Sequence, residues 1–157
     1  MNSLHDRLRD QLITENLSMD SLLDLIQQEQ LMLIANNIKD MEYILDKKSE
    51  KIAELARLAH ERHQMLASAG LQGDEAGMQV WLTQNPGGDV HVAWHQLTDK
   101  VKTAKTCNDT NGLLINTQLN RNQSTLNMLR GAQPATGFYG PNGQTTRSTL
   151  PRNRLAR

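Results

Sequence analysis

One periodic segment, residues 89–130, limits what this chain can fold into. Apolar and asparagine side chains recur there at steps of three and four, which is the spacing of one face of an α-helix. A helix of about 42 residues would be about 63 Å long, too long for a small compact core. It must therefore lie along other long helices or along a partner. The apolar and asparagine side chains that share this face form a stripe, which consists of Trp94, Leu97, Val101, Ala104, Asn108, Asn111, Ile115, Leu119, Asn122, Leu126 and Leu129.

Two shorter heptad stripes precede this segment and predict an antiparallel helical hairpin. We predict helices over residues 3–34 and 38–67, joined by a turn at Asn36-Asn37; so short a connection makes them antiparallel neighbours. The first stripe is Leu8, Leu12, Glu15, Met19, Leu22, Ile26, Glu29 and Leu33. The second is Ile38, Met41, Leu45, Lys48, Ile52, Leu55, Ala59, Arg62 and Leu66. We expect the acids Glu15 and Glu29 to face the bases Arg62 and Lys48 and to fix alignment more than they stabilise.

Turn-forming residues divide the remainder of the helical region. Asp74 is placed to cap a short helix over residues 75–84, and the break at residues 85–88 precedes Asp89, which we expect to cap the long helix. Gly131 is the expected terminating residue. The sequence therefore predicts an all-α domain over residues 1–130, an elongated coiled-coil-like bundle in which a third long helix joins the hairpin.

The composition suits such a bundle. Hydrophobic residues make up 38% and aromatic residues 3% of the chain, which is thin for a globular core but normal for packed helices. The formal net charge is zero, so global charge indicates no nucleic-acid partner. We expect no secretory signal and no direct membrane insertion, since no apolar stretch approaches a bilayer-spanning length. Cys107 is the single cysteine, which fits a cytoplasmic protein.

Residues 131–157 differ in composition and predict a flexible, disordered basic tail. They contain Arg147, Arg152, Arg154 and Arg157 but no Lys, Asp or Glu, so the preceding body carries the balancing negative charge. Phe138 and Tyr139 lie adjacent within this tail. Flanking glycines and following arginines favour a short linear motif with an aromatic anchor and charge steering, although incidental exposure is the alternative.

No residue pattern in the chain predicts catalysis or a cofactor. His91 and His95 share a helix face, as do His60 and His63, but the glutamate of a zinc-protease motif is missing, so we interpret them as solvated. We expect Cys107 to be a small packing residue. There is no phosphate-binding loop and no nucleophile elbow. We therefore predict a protein that is not an enzyme and holds no metal.

The asparagines of the long helix, Asn108, Asn111 and Asn122, are its most informative polar residues. We predict that they are buried and set the register of packing; the alternative is that they are surface residues on a slightly misphased helix. Gly112 weakens the helix by about 1 kcal/mol relative to Ala. A helix that is polar in its centre and apolar at its end suits reversible engagement of a partner helix.

Three segments together resemble the FlgN family of flagellar export chaperones. The hairpin contributes Leu22-Leu23 to Glu29, then Ile34-Ala35-Asn36-Asn37-Ile38, then Lys48 before Ile52 and Leu55. The long helix contributes Asn108-Asp109-Thr110-Asn111-Gly112-Leu113-Leu114-Ile115, then Asn122-Gln123 and residues 126–129. The tail contributes Tyr139-Gly140-Pro141-Asn142-Gly143-Gln144. The last two segments, in that order, resemble the family's Asn-x-x-Asn-Gly-x-Leu-Ile and Tyr-Gly-x-x-Gly motifs.

The resemblance implies a cytosolic chaperone of the flagellar type III export system. Such chaperones bind the hook–filament junction proteins FlgK and FlgL, prevent their early assembly and bring them to the export gate. Tyr139 matches the family position associated with docking on the gate protein FlhA. We expect helix-on-helix packing to hold the substrate, in a monomer or a homodimer. The predicted substrate contacts are Ile115, Leu119, Leu126 and Leu129, with Leu114 and Met128 on the adjoining flank.

Three other functions remain open from the residues alone. A structural coiled-coil adaptor or tether needs the same stripes but no secretion substrate. A nucleic-acid-associated protein would use the arginine tail and bind with strong salt dependence. A hydrolase or metalloenzyme would need a site assembled in space from the histidines or Cys107.

Overall fold

Four α-helices make up the fold of the residues that the structure describes. The computed structural model describes residues 2–131, 138–139 and 145–146. The helices are α1 (Leu4–Ile34), α2 (Met41–Ser68), α3 (Glu75–Gln84) and α4 (Asp89–Leu129), which confirms the all-α class. Two short strands, β1 (Phe138–Tyr139) and β2 (Thr145–Thr146), pair antiparallel. The rest of the predicted tail lies outside the described residues.

Helix α1 has a defined cap at each end. The Ser3 hydroxyl accepts a hydrogen bond from the Asp6 amide at 3.1 Å, and the Asp6 carboxylate accepts one from the Ser3 amide at 3.2 Å, forming a capping box. At the other end Asn36 has a φ of 54°, and the Asn37 amide donates to the Met32 carbonyl at 2.9 Å. This Schellman arrangement stops the helix, because asparagine tolerates the left-handed region better than most residues.

Helix α2 begins at Met41, so the predicted start at Ile38 is wrong. The Met41 amide donates to the Ile38 carbonyl at 3.1 Å, which closes a turn over the residues just before the helix. Asp40 occupies the N-cap position. The physical reason is that Asn36 adopts a left-handed conformation, and residues 37–40 then form the turn that reverses the chain direction before α2 begins. Ile38 is consequently exposed rather than part of the seam.

The hairpin seam is confirmed on α1 and only partly on α2. All eight residues of the predicted α1 stripe are buried. On α2, Ile44 and Leu58 are buried although the predicted stripe omits them, whereas Leu45 and Ile52 are 43% and 50% exposed. In a straight α-helix, residues seven apart are rotated about 20° from each other around the helix axis. Over several heptads, residues with this spacing therefore turn away from the contact with α1.

The base of the hairpin is closed by α3 and the start of α4. Helix α3 has the predicted bounds, and the Asp74 carboxylate accepts from the Gly77 amide at 2.9 Å. Trp81 of α3 and Val90 of α4 join the core made by Leu8 and Leu12 of α1. Apolar burial of this kind contributes roughly 25 cal/mol per Å². The core therefore attaches α4 to the hairpin from its first turn.

Helix α4 runs alongside α1 in the same direction over its first part. Asn16 donates to the Ala93 carbonyl at 3.0 Å, and Lys100 pairs with Asp20 at 2.9 Å.

The predicted capping role of Asp89 is wrong by one residue. Gly88, with a φ of 90°, occupies the position before the helix, so Asp89 is the first helical residue. The Asp89 carboxylate accepts a hydrogen bond from the Val90 amide.

The far end of α4 and its single cysteine follow the prediction. Gly131 has a φ of 61° and its amide donates to the Met128 carbonyl at 3.1 Å, so the expected terminating residue is confirmed. Cys107 is partly buried against the core, as expected of a packing residue. No helix in residues 2–131 is long and apolar enough to cross a membrane.

The described residues fall into two units that divide after Asp109. The first contains α1, α2, α3 and α4 as far as Asp109, and the second contains the remainder of α4. The predicted domain boundary after residue 130 stays a prediction.

Two glycines in helices should respond oppositely to alanine. A Cβ at Gly77 would collide with the Gln72 carbonyl oxygen, whereas a Cβ at Gly112 would meet open space. We expect Gly77→Ala to lower the free energy of unfolding by about 1–3 kcal/mol through overpacking. Gly112→Ala should raise helix stability by about 1 kcal/mol. Urea titrations followed by circular dichroism test both, and a Gly77→Ala protein as stable as the parent would contradict the close approach.

Candidate functional site

The distal part of α4 carries a row of exposed apolar side chains, which we call the distal ridge. Ile115, Leu119 and Leu126 are 38%, 40% and 47% exposed, and Met128 and Leu129 are about four-fifths exposed. Leu114 is half-buried. The structure thus places all six predicted contact residues on one helix, Leu114, Ile115, Leu119, Leu126, Met128 and Leu129, in the unit that begins at Thr110.

Leu113 is a further exposed apolar residue of the same helix, and the sequence prediction misses it. It is 69% exposed and precedes Leu114 directly. The run Leu113-Leu114-Ile115 is itself the signal, because three adjacent apolar residues cannot all lie on one stripe. Exposed apolar side chains at helical spacing mark a surface that suits packing against another amphipathic helix.

The three asparagines differ in their environments. Asn111 is 1% exposed, whereas Asn108 and Asn122 are exposed, so the expected burial is confirmed at Asn111 and wrong at the other two. Asn108 is nevertheless engaged, because its side-chain oxygen accepts a hydrogen bond from the Lys48 ammonium. Their role in setting register stays a prediction.

Both predicted ion pairs of the hairpin are confirmed. The Arg62 Nε donates to the Glu15 carboxylate at 2.8 Å, and both side chains are buried. The Lys48 ammonium lies 3.1 Å from the Glu29 carboxylate, which is also buried. Burial raises the pKa of the Glu15 carboxyl, and the hydrogen bond and charge of Arg62 oppose that effect.

A third carboxylate, which the sequence prediction missed, extends the Arg62 pair. Glu75 of α3 lies 3.2 Å from the Arg62 guanidinium and 2.9 Å from the His63 Nε2. Partial burial would raise the pKa of Glu75, but His63 and Arg62 outweigh burial and lower it. The Arg62 guanidinium also lies 4.9 Å from the Trp94 ring centre, a cation–π distance. This cluster therefore ties α1, α2, α3 and α4 together.

The histidine pairs bond to protein groups rather than to each other. His91 lies 2.9 Å from the Leu82 carbonyl oxygen, and His60 lies 3.1 Å from the Gln64 amide nitrogen. Within the described ranges, no three His, Cys, Asp or Glu side chains come together as metal ligands would. The side chain of Tyr139, the predicted gate-docking residue, lies outside the described residues; its backbone pairs with Thr145.

Comparisons with known proteins place these features in a family. A family model described as FlgN protein matches residues 1–147. The chain is similar to the flagella synthesis protein FlgN of Salmonella typhimurium, with 25% identity over 116 residues that cover 69% of this chain and 82% of the relative. It is also similar to the protein of that name in Proteus mirabilis, with 29% identity over 130 residues covering 80% of this chain and 88% of the relative.

A solved structure shows the same fold. The crystal structure of a flagella synthesis protein FlgN from Pseudomonas aeruginosa aligns with a TM-score of 0.63 at 20% identity. The alignment covers 73% of this chain and 89% of that one. At this identity the likeness establishes the fold alone.

Proposed function

This chain belongs to the FlgN family of flagella synthesis proteins, and from that premise we propose that it is a cytoplasmic flagellar export chaperone. In this proposal it binds terminal helices of the hook–filament junction proteins FlgK and FlgL, prevents their premature assembly and delivers them to the type III export gate. It performs no catalysis and needs no cofactor.

The observation that carries the proposal is the exposure of the distal ridge. Ile115, Leu119, Leu126 and Leu129 repeat at helical spacing, and each keeps more than a third of its surface open to solvent. Burying four such side chains against a partner contributes roughly 1.5–3 kcal/mol each before entropy losses. The sum, roughly 6–12 kcal/mol before those losses, is of the size that reversible binding requires.

The polar composition of the segment before the ridge also supports reversible engagement. Asn108, Asn111 and Gly112 interrupt the apolar stripe, and a Cβ added at Gly112 would contact no other side chain among the described residues. Interrupting an apolar stripe lowers the free energy gained by packing. A chaperone must release its substrate at the export gate, so moderate affinity suits the proposed role.

Co-elution with the substrate tests the proposal. The purified full chain should form a stable complex with the C-terminal helical segment of FlgK in size-exclusion chromatography, and with the corresponding FlgL segment. Self-association alone, with neither segment retained, would favour a structural coiled-coil tether and would overturn the chaperone proposal.

Tyr139→Ala should separate gate docking from substrate binding. We expect it to weaken binding to the cytosolic part of FlhA by about tenfold or more, because an aromatic anchor dominates a short linear motif. Affinity for FlgK should stay unchanged, since the distal ridge is intact. Calorimetric titrations with both partners, using Phe138→Ala as the matched aromatic control, measure this. Loss of FlgK binding in Tyr139→Ala would show that the division of roles is wrong.

A further inference from the structure

The charged side chains of the unit that carries the distal ridge all have the same sign. Residues 110–157 contain six arginines and no lysine, aspartate or glutamate, so their formal side-chain charge is +6. Because the net charge of the chain is zero, residues 1–109 carry −6. Four of the six arginines follow residue 131, and the other two are Arg121 and Arg130. A partner that binds the distal ridge therefore meets arginines but no acidic side chain of this unit.

Arg121 and Arg130 lie on opposite sides of the distal ridge. Successive residues of an α-helix are rotated by about 100°, which places the central residues of the ridge within an arc of about 80°. These central residues are Ile115, Leu119, Leu126 and Leu129. Arg130, whose amide still donates to the carbonyl of residue 126 at 3.1 Å, follows just outside one edge of this arc. Arg121 lies beyond the other edge, in the row of Leu114 and Met128, and is seven residues from each of them. A helix packed on the ridge therefore has one arginine along each flank.

Both guanidinium groups are available to a partner. Arg121 and Arg130 are exposed, and neither forms an ion pair with a carboxylate in the part of the chain that the structure describes. By contrast, Arg9, Arg57 and Arg62 in residues 1–109 each pair with an acidic side chain. A guanidinium group binds a carboxylate through two parallel hydrogen bonds, so the two arginines of the distal unit suit acidic residues of a partner.

The apolar and the charged groups of this surface have different effects on binding. An exposed ion pair contributes too little free energy to hold a partner by itself. The apolar contact of the ridge therefore provides the affinity. The arginines determine which amphipathic helices are accepted, because they attract acidic flanks and repel basic ones. The other polar residues of this part of α4 are Asn, Gln, Ser and Thr, which do not discriminate by charge.

We propose that Arg121 and Arg130 make the distal ridge selective for an amphipathic helix with acidic residues on both flanks. The inference rests on the proposed function, because it concerns the same ridge, and it adds the charge of the helix that is bound. A nucleic acid would also match the positive charge of residues 110–157. It has no row of aliphatic side chains to cover the exposed leucines, however, so a protein helix fits both features of the surface.

Three synthetic peptides that differ only in the charge of their flanks test this selectivity. Each has about four turns with leucine at heptad a and d positions, and the flanking residues are glutamate, lysine or glutamine. Fluorescence anisotropy of the labelled peptides, titrated with the full chain, measures the affinities. We expect the glutamate peptide to bind about tenfold more tightly than the lysine peptide at low salt, with the glutamine peptide between them. Salt at about 0.5 M should reduce the difference to about twofold, because it screens exposed charges.

Matched variants assign the selectivity to the two arginines. Arg121→Gln with Arg130→Gln should reduce the preference for the glutamate peptide to about twofold or less and leave the affinity of the glutamine peptide unchanged. Glutamine is a good helix former, and circular dichroism checks that α4 persists. The control, Arg7→Gln with Arg57→Gln, removes the same charge from two exposed residues outside the distal unit and should keep the full preference. Arg121→Glu with Arg130→Glu should favour the lysine peptide instead.

Four results would overturn the proposal. The first is equal affinity of the glutamate and lysine peptides for the parent chain. The second is a full preference that persists in Arg121→Gln with Arg130→Gln. The third is an oligonucleotide that binds more tightly than the glutamate peptide and is unaffected by Leu126→Ala with Leu129→Ala, which would make nucleic acid the partner. The fourth is salt-sensitive self-association that the two glutamine exchanges abolish, which would make the acidic residues 1–109 of a second copy the partner.

A parallel titration with the FlgK C-terminal segment distinguishes failure of this proposal from failure of the proposed function. If Leu126→Ala with Leu129→Ala weakens FlgK binding while the glutamate and lysine peptides bind equally, the chaperone role stands and the selectivity is wrong. If FlgK does not bind, but the parent prefers the glutamate peptide and the two glutamine exchanges remove that preference, the selectivity stands and the chaperone role is wrong.

Discussion

Replacing Leu126 and Leu129 together by Asp should lower the affinity for the FlgK C-terminal segment by about 100-fold or more. Each leucine buried on binding contributes roughly 1.5–3 kcal/mol, and a carboxylate at the same position would have to be desolvated. The side chains are 47% and 78% exposed in the free protein and neither belongs to the core cluster, so the exchange removes no core packing. Isothermal titration calorimetry measures the affinity, and far-ultraviolet circular dichroism checks that the helix persists.

The matched control for this variant is Thr117→Asp with Ser124→Asp. These two exposed residues lie on the face of the same helix opposite Leu126 and Leu129, so the control adds the same charge without altering the face that those leucines share with Ile115 and Leu119. We expect the control to bind FlgK as the parent does. Equal affinity of the ridge variant and the parent, with helicity intact, would refute the assignment of the ridge.

Arg62→Met should lower the free energy of unfolding by about 3–5 kcal/mol. It leaves Glu15, which is 3% exposed, without its cation at 2.8 Å, and it also removes the contacts of Arg62 with Glu75 and Trp94. A buried carboxylate without a cation lowers the free energy of unfolding far more than the intact ion pair raises it. The single exchange therefore has a large effect. Urea denaturation followed by circular dichroism measures the change.

The double variant Glu15→Leu with Arg62→Met separates the cost of an orphaned charge from the value of the pair. We expect it to recover most of the lost stability, because apolar residues of similar volume can replace a buried ion pair at little cost. Glu75 is 56% exposed and retains His63, so it remains solvated. A double variant as unstable as the sum of the two single variants would show that the pair itself provides the stability.

The sequence predicts the α1 side of the core well because that stripe is covered along its whole length. All eight residues of the predicted stripe from Leu8 to Leu33 are buried. The two glutamates among them pair with the bases predicted from the heptad register, Glu15 with Arg62 and Glu29 with Lys48. Charged residues are rare at buried positions of packed helices. Few pairings are therefore possible between the acids of α1 and the bases at the same level of α2. Glu75 could not be found in this way, since periodicity within α1 and α2 says nothing about where α3 lies.

Helices α2 and α4 show what periodicity leaves undetermined. Ile52 and Val101 belong to the same kinds of stripe as Leu22 and Leu97, yet they are half-exposed while the other two are buried. Likewise Leu97 and Leu126 share the α4 stripe, but only Leu97 is in the core. Spacing identifies which face of a helix is apolar, whereas the presence of a neighbour that covers that face depends on the tertiary arrangement.

The turn residues were predictable in kind but not always in position. Asp74, Gly131 and the Asn36 turn act as expected because their local chemistry decides the conformation. The starts of α2 and α4 differ from prediction because more than one residue could occupy the cap. At these ends Asp40 and Gly88 lie just before the first helical residue.

The proposed function requires that the distal ridge bind a helix of the substrate protein. Methyl NMR spectroscopy of the full chain, titrated with the FlgK C-terminal segment, tests this most directly. The signals of Ile115, Leu119, Leu126 and Leu129 should shift saturably, while those of Leu8 and Leu12 in the core stay in place. A tight complex that leaves the four ridge signals unmoved, or no complex at all, would contradict the account.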